Sequence, residues 1–299
     1  MSGSSKPSLR SALSLLRPGH WIKNLFVLAP AFFSGAILVP DLLLRSVIAA
    51  LAFSLVASAI YCINDVVDAP ADRLHPLKRT RPVAAGTVSP ASAITLAAVI
   101  AAAAMVLSAL LVSPLLCIVL AIYLVLNIFY TLGIKRYPLI DISVIAIGFL
   151  LRLGAGSVAA QCHLSAWIVL CTFLLSLFLA LGKRREDSTY ASASSADSTG
   201  RQRARYSTRF IDSAMSLIGA ATITCYLIYT ASPTPDKSIA SPYIYLTGLP
   251  VIVGVMRYLQ ICIDDNGGAT HVKLIWRDGI MCGSIIVYIL LFILLWILG

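Results

Sequence analysis

Acidic side chains recur at helical spacing in the stretch 59–86, and their types indicate metal chemistry. Asp65, Asp68 and Asp72 are separated by three and four residues, so a helix that continues through this stretch would place them on one face. Carboxylates this close repel one another unless a cation lies between them. Carboxylate and amide oxygens are typical ligands of Mg²⁺, which usually takes one or two carboxylates together with substrate phosphates. The predicted metal ligands are Asn64, Asp65, Asp68 and Asp72.

A basic run follows these acids directly, and it indicates that the substrate carries phosphate groups. The run consists of Arg73, His75, Lys78, Arg79 and Arg81. Arg and Lys make charge-assisted hydrogen bonds to phosphate oxygens. The alternative is that the two clusters merely neutralise each other in a surface loop. Because the acids begin within an apolar helix end, where uncompensated charge is costly and usually functional, we favour a Mg-diphosphate substrate.

The composition shows which kind of protein must position these groups. Of the 299 residues, 59% are hydrophobic and only 12% are charged, whereas an average soluble domain is roughly a quarter charged. This excludes a soluble globule, a disordered chain and a soluble nucleic-acid-binding protein. Continuous apolar stretches such as 280–298 are long enough to span a bilayer as helices, and they argue against a β-barrel. The chain is therefore predicted to be an all-α, polytopic membrane protein that binds no nucleic acid.

Nine transmembrane helices are predicted from the apolar stretches. They cover 22–39, 42–63, 91–112, 114–132, 139–160, 165–182, 211–230, 243–261 and 279–298. An N-terminal segment, 1–21, is predicted to be cytoplasmic or to lie at the membrane interface, and 22–299 to form one transmembrane domain. The polar loops of that domain are predicted at 64–90, 133–138, 183–210 and 262–278.

The distribution of charge orients this bundle. Most of the 23 Lys and Arg residues lie in the N-terminal segment and in those four loops. The positive-inside rule then places the N-terminus and the four loops in the cytoplasm. We expect a multi-pass protein of the cell membrane whose active site faces the cytoplasm.

The stretch 64–72, NDVVDAPAD, resembles the first Asp-rich motif of the UbiA superfamily of intramembrane prenyltransferases, N-D-x-x-D-x-x-x-D. The number of predicted helices agrees with that superfamily, and the resemblance covers essentially the whole chain. Within it, the chain is most similar to the branch that transfers 5-phosphoribose from 5-phosphoribosyl-1-diphosphate (PRPP) to a decaprenyl-type polyprenyl phosphate. Further similar stretches lie at 130–142, 148–156, 182–184, 257–258, 267–268 and 277–278.

The second motif departs from the pattern of members that use a prenyl diphosphate. Those members carry D-x-x-x-D after the fourth helix, whereas this chain has Asp141 followed by Ile145 at the second position. The departure counts against an aromatic prenyltransferase. It fits an enzyme whose one metal-bound diphosphate is held at the first motif and whose lipid is a monophosphate.

The resemblance also implies roles for individual residues. It implies that catalysis depends on Asp65, Asp68, Asp72, Lys135 and Asp141. It implies that substrates are bound by Lys23, Asn64, Arg73, Lys78, Arg79, Arg81, Tyr130, Lys135, Arg136, Arg152, Lys183 and Arg184. For Lys135 and Arg136 the alternative role is to orient the bundle. For Arg152, inside an apolar helix, the alternative is a structural partner for the guanidinium.

The expected function is Mg²⁺-dependent transfer of 5-phosphoribose from PRPP to a polyprenyl monophosphate, with release of diphosphate. The first alternative is an aromatic prenyltransferase of the same fold, which would use a prenyl diphosphate and not PRPP. The second is an anion transporter or channel, which would show an inverted repeat with interrupted helices, and the sequence shows no such repeat. The expected partners are PRPP, the lipid phosphate and the bilayer, and the resemblance adds a homo-oligomer.

Overall fold

The computed structural model describes residues 9–74, 78–193, 206–232, 243–264 and 278–298, and every regular element in these ranges is helical. Ten α-helices follow in chain order: α1 (Leu9–Leu16), α2 (Ala29–Phe33), α3 (Pro40–Asp72), α4 (Pro90–Leu111), α5 (Pro114–Leu132), α6 (Ile140–Ala160), α7 (Ala166–Ala193), α8 (Thr208–Ala231), α9 (Gly248–Asp264) and α10 (Gly279–Leu298). Five 3₁₀ segments connect them: Pro18–Leu28, Ala36–Leu38, Lys78–Thr80, Ile134–Arg136 and Ile244–Thr247. The predicted all-α class is confirmed.

Eight helical stretches within these ranges are long and apolar enough to cross a bilayer. They correspond to the second through ninth predicted spans, so the protein is a polytopic integral membrane protein. The first predicted span, 22–39, is not among them, because this stretch forms no continuous helix. His75, most of the predicted loop 262–278 and the middle of the loop 183–210 lie outside the described residues.

Local backbone geometry explains the interruption of 22–39. The 3₁₀ segment Pro18–Leu28 gives way to the five-residue helix α2, which ends before Gly35. Gly35 has a φ of 76°, in the left-handed region that favours glycine and ends a helix. The 3₁₀ segment also lies directly against α6, where a Cβ on Gly156 would stand 2.9 Å from Pro30 Cδ and would overlap the carbonyl of Val27. The absence of a side chain at Gly156 therefore allows this segment to lie close to α6.

Two helices extend beyond their predicted ends and carry functional candidates with them. Helix α3 continues nine residues past the predicted end at position 63 and stops at Asp72, with Pro70 inside its last turn. Helix α7 continues past position 182 and includes Lys183 and Arg184. The first residues of the predicted polar loops 64–90 and 183–210 are thus helical. The predicted spans end at the first charged residues because they were defined by apolar composition, whereas the backbone hydrogen bonds of each helix continue past those residues.

The chain divides into two compact units. The first comprises Met1–Tyr137 and Leu151–His163, and the second comprises Pro138–Leu150 and Leu164–Gly299. The first unit has a core of small and aromatic side chains around Phe53 and Tyr123. The second has its own core around Phe178 and Tyr258. Each unit carries one group of candidate site residues. The prediction that 22–299 form one domain stays a prediction.

Candidate functional site

The last two turns of α3 carry the acidic motif of the first unit. Asp65 and Asp72 are buried, and Asp68 is partly exposed. Helix α3 remains helical to Asp72, as the spacing requires, and Asp65 and Asp72 share a cationic neighbour. The cluster is a buried concentration of negative charge at a helix end, which requires cations close by.

Arg81 supplies one of these cations from the loop that follows α3. Its Nη1 lies 2.6 Å from Asp72 Oδ2 and 3.6 Å from Asp65 Oδ1, so one guanidinium bridges two carboxylates. The backbone of Arg81 donates to the carbonyl of Lys78 and accepts from Ala85, and Gly86 turns the chain with a φ of 76°. This tight turn brings a residue of the basic run back onto the acidic motif.

Lys135 supplies a second cation from the segment after α5. Its Nζ lies 2.6 Å from Asp68 Oδ1, and both side chains are about one-third exposed, at 30% and 34%. Near this pair, the hydroxyl of Thr131 on α5 donates to Asn64 Oδ1 on α3. The end of α5 and the segment after it thus contact the acidic end of α3 through this hydrogen bond and this ion pair.

A third cation comes from Arg17, just before the 3₁₀ segment Pro18–Leu28. Its Nη2 donates to Asp65 Oδ1, and its guanidinium lies 5.3 Å from the centre of the Tyr61 ring. The other carboxylate oxygen, Asp65 Oδ2, is buried without a hydrogen-bond partner in the described part of the chain. Sequence reasoning missed Arg17 and assigned it only to the interfacial segment.

The residues of this site fit a divalent cation. Among the described residues no three His, Cys, Asp or Glu side chains converge as a metal-binding group, and the carboxylates are paired with Arg17, Arg81 and Lys135 instead. The donor set is nevertheless of hard oxygens, and the buried Asp65 Oδ2 is left for a further cationic partner. A dication would satisfy that oxygen, so Asp65 is the residue best placed to bind Mg²⁺.

Several other predicted substrate-binding residues of the first unit are at least partly exposed. Lys23, Arg73, Lys78, Arg79 and Arg136 have exposed side chains, and Tyr130 is half-buried. Arg73 Nε lies 3.4 Å from the carbonyl oxygen of Ala84, which holds the loop between α3 and α4. The exposed cations are therefore accessible to a ligand, and their predicted roles stay predictions.

Arg152 is buried in the first unit. Its Nε donates to Asn24 Oδ1 over 2.8 Å, and its Nη2 donates to the hydroxyl of Tyr123 over 2.9 Å. The guanidinium also lies about 5 Å from the rings of Phe53 and Tyr123, at 5.0 and 5.1 Å. Neutral acceptors and aromatic faces stabilise a buried guanidinium, so these contacts favour the structural alternative.

The second unit holds a separate cluster around Asp141, in the first turn of α6. Arg184 Nε lies 3.0 Å from Asp141 Oδ2, and the hydroxyl of Tyr206 donates to Asp141 Oδ1. The same hydroxyl accepts from the backbone N–H of Leu139 over 2.6 Å. Burial and the hydrogen bond to Asp141 raise the pKa of Tyr206 to about 12. Lys183 is exposed next to Arg184.

Tyr206 and Thr131 join Arg17 as polar residues that sequence reasoning missed. Tyr206 is 65 residues from Asp141, and Thr131 is 67 residues from Asn64. Neither belongs to a spaced pattern of acidic or basic residues. The only signal for Thr131 is its place one residue after Tyr130 in a stretch already singled out, and no such signal exists for Tyr206.

With this geometry established, comparison with known proteins identifies the family. The model of the UbiA prenyltransferase family matches residues 24–277. The chain belongs to the UbiA prenyltransferase family. This confirms the resemblance drawn from the Asp-rich motif, which lies at the C-terminal end of α3.

Curated UbiA relatives align over most of this chain. A decaprenyl-phosphate phosphoribosyltransferase from Mycolicibacterium smegmatis is 36% identical over 281 residues, which cover 89% of this chain and 85% of that protein. A decaprenyl-phosphate phosphoribosyltransferase from Corynebacterium glutamicum is 33% identical over 264 residues, which cover 86% of this chain and 78% of that protein.

A solved UbiA structure supports the fold. The UbiA homologue from Archaeoglobus fulgidus bound to DMAPP and Mg²⁺ superposes with a TM-score of 0.72 at 16% identity, covering 93% of this chain and 97% of that one. At this identity the likeness concerns the fold alone. The predicted UbiA-type architecture is confirmed.

Proposed function

We propose that this protein transfers 5-phosphoribose from PRPP to a long-chain polyprenyl monophosphate of the decaprenyl type and releases diphosphate. The single observation that carries the proposal is the buried acidic end of α3, where Asp65, Asp68 and Asp72 are each paired with a cation. Such alternating charge suits a metal ion together with several phosphate groups. The named activity of the two phosphoribosyltransferase relatives supports the choice of substrates.

The bond changes of this reaction balance without a dedicated general base. The C1–O bond of PRPP breaks and its electron pair leaves with the diphosphate, while an oxygen of the lipid phosphate forms a new bond to C1. A phosphate monoester is largely ionised at neutral pH because its second pKa is about 6. The lipid phosphate therefore attacks without first losing a proton to the protein. This agrees with the composition of the site around the acidic motif, which consists of carboxylates, arginines and a lysine.

Each group of the first unit then has a defined task. Asp65, Asp68 and Asp72, with Asn64, would hold Mg²⁺, which when bound supplies charge neutralisation and orientation for the departing diphosphate. Arg81 and the exposed Lys78 and Arg79 would bind phosphate groups of PRPP. Lys135 and Arg136 would bind the phosphate of the lipid.

Of the predicted phosphate-binding cations, Lys135 and Arg81 lie within ion-pair distance of the motif. Lys135 keeps about a third of its side-chain surface exposed while it contacts Asp68, so it can reach a ligand from that position. Arg81 holds Asp65 and Asp72 together and thereby keeps two carboxylates oriented toward one point. In the second unit, Asp141, Lys183 and Arg184 stay predicted site residues.

The location of the reaction follows from the distribution of charge. We place the protein in the cell membrane with the acidic motif on the cytoplasmic side, because the motif and the cation-rich segments lie at the same ends of the predicted helices. Water-soluble PRPP would reach it from the cytoplasm, and the lipid phosphate from the bilayer. The homo-oligomer stays a prediction.

The proposal is tested with purified protein in lipid nanodiscs. Protein, polyprenyl phosphate, Mg²⁺ and PRPP labelled in the ribose are incubated, and label in the lipid extract is counted. Label should appear in the lipid only when Mg²⁺ and polyprenyl phosphate are both present, and EDTA should abolish it. Folded protein that leaves the lipid unlabelled would overturn the proposal. Transfer from a labelled prenyl diphosphate to an aromatic acceptor would establish the aromatic prenyltransferase instead.

A further inference from the structure

Arg17 lies outside every motif described above, yet it contacts the most buried carboxylate of the site. Its backbone has φ 49° and ψ 58°, in the left-handed region that non-glycine residues rarely adopt. From there the guanidinium reaches Asp65, whose relative exposure is 2%. Strained backbone of this kind persists where surrounding contacts hold it, and it is often associated with function.

The chain around Arg17 is attached to α3 by contacts that do not involve its side chain. Ser58 Oγ donates to the carbonyl of Leu16 over 2.8 Å and accepts from Trp21 Nε1 over 3.0 Å. One turn earlier on α3, Ser54 Oγ accepts from Asn24 Nδ2 over 3.0 Å. The guanidinium can therefore leave Asp65 without detaching this segment from α3.

Only one of the two carboxylate oxygens of Asp65 has a hydrogen-bond partner in the described part of the chain. Oδ1 accepts from Arg17, whereas Oδ2 is buried without a hydrogen-bond partner in the described ranges. A divalent cation at Oδ2 would stand close to the Arg17 guanidinium, and two like charges at one carboxylate repel each other. Arg17 and a divalent cation therefore compete for Asp65.

The net charge of the site indicates what the Arg17 guanidinium would bind after a divalent cation takes Asp65. Three carboxylates are matched by Arg17, Arg81 and Lys135, so a bound dication leaves a surplus of two positive charges. A diphosphate offsets that surplus. Arg17 has 21% of its side-chain surface exposed, so it has room to turn from Asp65 toward an anion beside it.

We propose that Arg17 is the exchangeable counter-ion of the metal site: it pairs with Asp65 when no metal is present and binds a phosphate of the diphosphate substrate once a divalent cation takes Asp65. The identity of that substrate rests on the proposed function. Arg17 thus couples metal binding to diphosphate binding, because the same guanidinium opposes the first and supports the second.

The first test measures binding of Mn²⁺ alone, as a paramagnetic substitute for Mg²⁺, in nanodiscs by loss of the free-ion EPR signal. Arg17→Gln should bind Mn²⁺ about tenfold more tightly than the unmodified protein, the size of effect expected when one charge-assisted hydrogen bond no longer competes. The matched control is Arg45→Gln at the start of α3, where the arginine caps the carbonyl of Val112 instead. The control should leave Mn²⁺ affinity unchanged.

The second test measures binding of inorganic diphosphate in saturating Mn²⁺. Arg17→Gln should weaken it about tenfold, and Arg17→Lys should restore part of the affinity because it keeps the charge. Unchanged or weaker Mn²⁺ binding in folded Arg17→Gln, or unchanged diphosphate binding, overturns the proposal. A purely structural role would weaken both. If both shifts appear and the unmodified protein does not label polyprenyl phosphate, only the proposed function fails.

Discussion

Lys135 Nζ lies 2.6 Å from Asp68 Oδ1 and joins the segment after α5 to the acidic end of α3. The two residues are 67 positions apart in the chain. Because both side chains are partly exposed, this ion pair adds little stability and remains accessible to a substrate. Like the pair of Arg81 and Asp72, it connects a predicted phosphate-binding cation with a predicted metal ligand.

We expect Lys135→Ala to lower activity far more than stability. Loss of one cation that stabilises developing charge typically lowers kcat by about 100-fold or more, whereas a partly exposed ion pair contributes about 0–1 kcal/mol to folding. The measurements are kcat and KM for each substrate together with the thermal midpoint. Full activity in Lys135→Ala would remove Lys135 from the site.

We expect Asp65→Asn to abolish the Mg²⁺-dependent reaction. The substitution is nearly isosteric but removes the charge that a hard dication requires, so Mn²⁺ affinity should fall by at least about tenfold. Asp41→Asn is the matched control, because Asp41 is at the other end of the same helix and its side chain is 75% exposed. Equal metal affinity in the two variants would refute the metal assignment of Asp65.

Gly156→Ala and Gly154→Ala should have opposite effects on stability. A Cβ at Gly156 would overlap the carbonyl of Val27 and stand 2.9 Å from Pro30 Cδ, whereas nothing lies within 4 Å of a Cβ at Gly154. Overpacking of this kind costs about 1–3 kcal/mol, and Gly→Ala in an open helical position gains about 0.5–1 kcal/mol. Thermal midpoints in one detergent provide the comparison. A midpoint unaffected by Gly156→Ala would show that Pro18–Leu28 does not pack against α6.

Tyr206→Phe should destabilise the second unit because it removes two hydrogen bonds. The N–H of Leu139 loses its acceptor, while Oδ1 of Asp141 loses the Tyr206 hydroxyl and keeps the backbone N–H of Ile142. A polar group left without its partner costs about 1–3 kcal/mol. The control is Tyr137→Phe, because Tyr137 is exposed and its ring remains in the variant. Equal thermal midpoints for the two variants would contradict the hydrogen-bond arrangement.

The same tyrosine gives a pH dependence with a definite sign. Its pKa is raised to about 12 in the folded protein, above the ordinary value of about 10, so the fold favours the neutral hydroxyl. The stabilisation is therefore complete below about pH 10 and is lost as the pH rises from about 10 to 12. The stability difference between the unmodified protein and Tyr206→Phe should shrink over that interval. A difference that stays constant would contradict the raised pKa.

The fold and the core of the site could be predicted because both depend on local patterns. Long apolar stretches specify membrane helices, and the spacing of Asp65, Asp68 and Asp72 specifies one helical face wherever the backbone remains helical. The stretch 22–39 differs from the prediction, because it forms no continuous helix although its composition is apolar. Helix α2 ends before Gly35, whose φ of 76° cannot be read from composition.

The membrane class, the family and the residues of the acidic motif follow from residue types and their spacing. The pairing of cations with carboxylates follows from the folded chain: Arg17 with Asp65, Arg81 with Asp72, Lys135 with Asp68, and Arg184 with Asp141. Ion pairing depends on distance in space, whereas the sequence reports separation along the chain. Arg17 precedes Asp65 by 48 residues, and tertiary contacts bring them together.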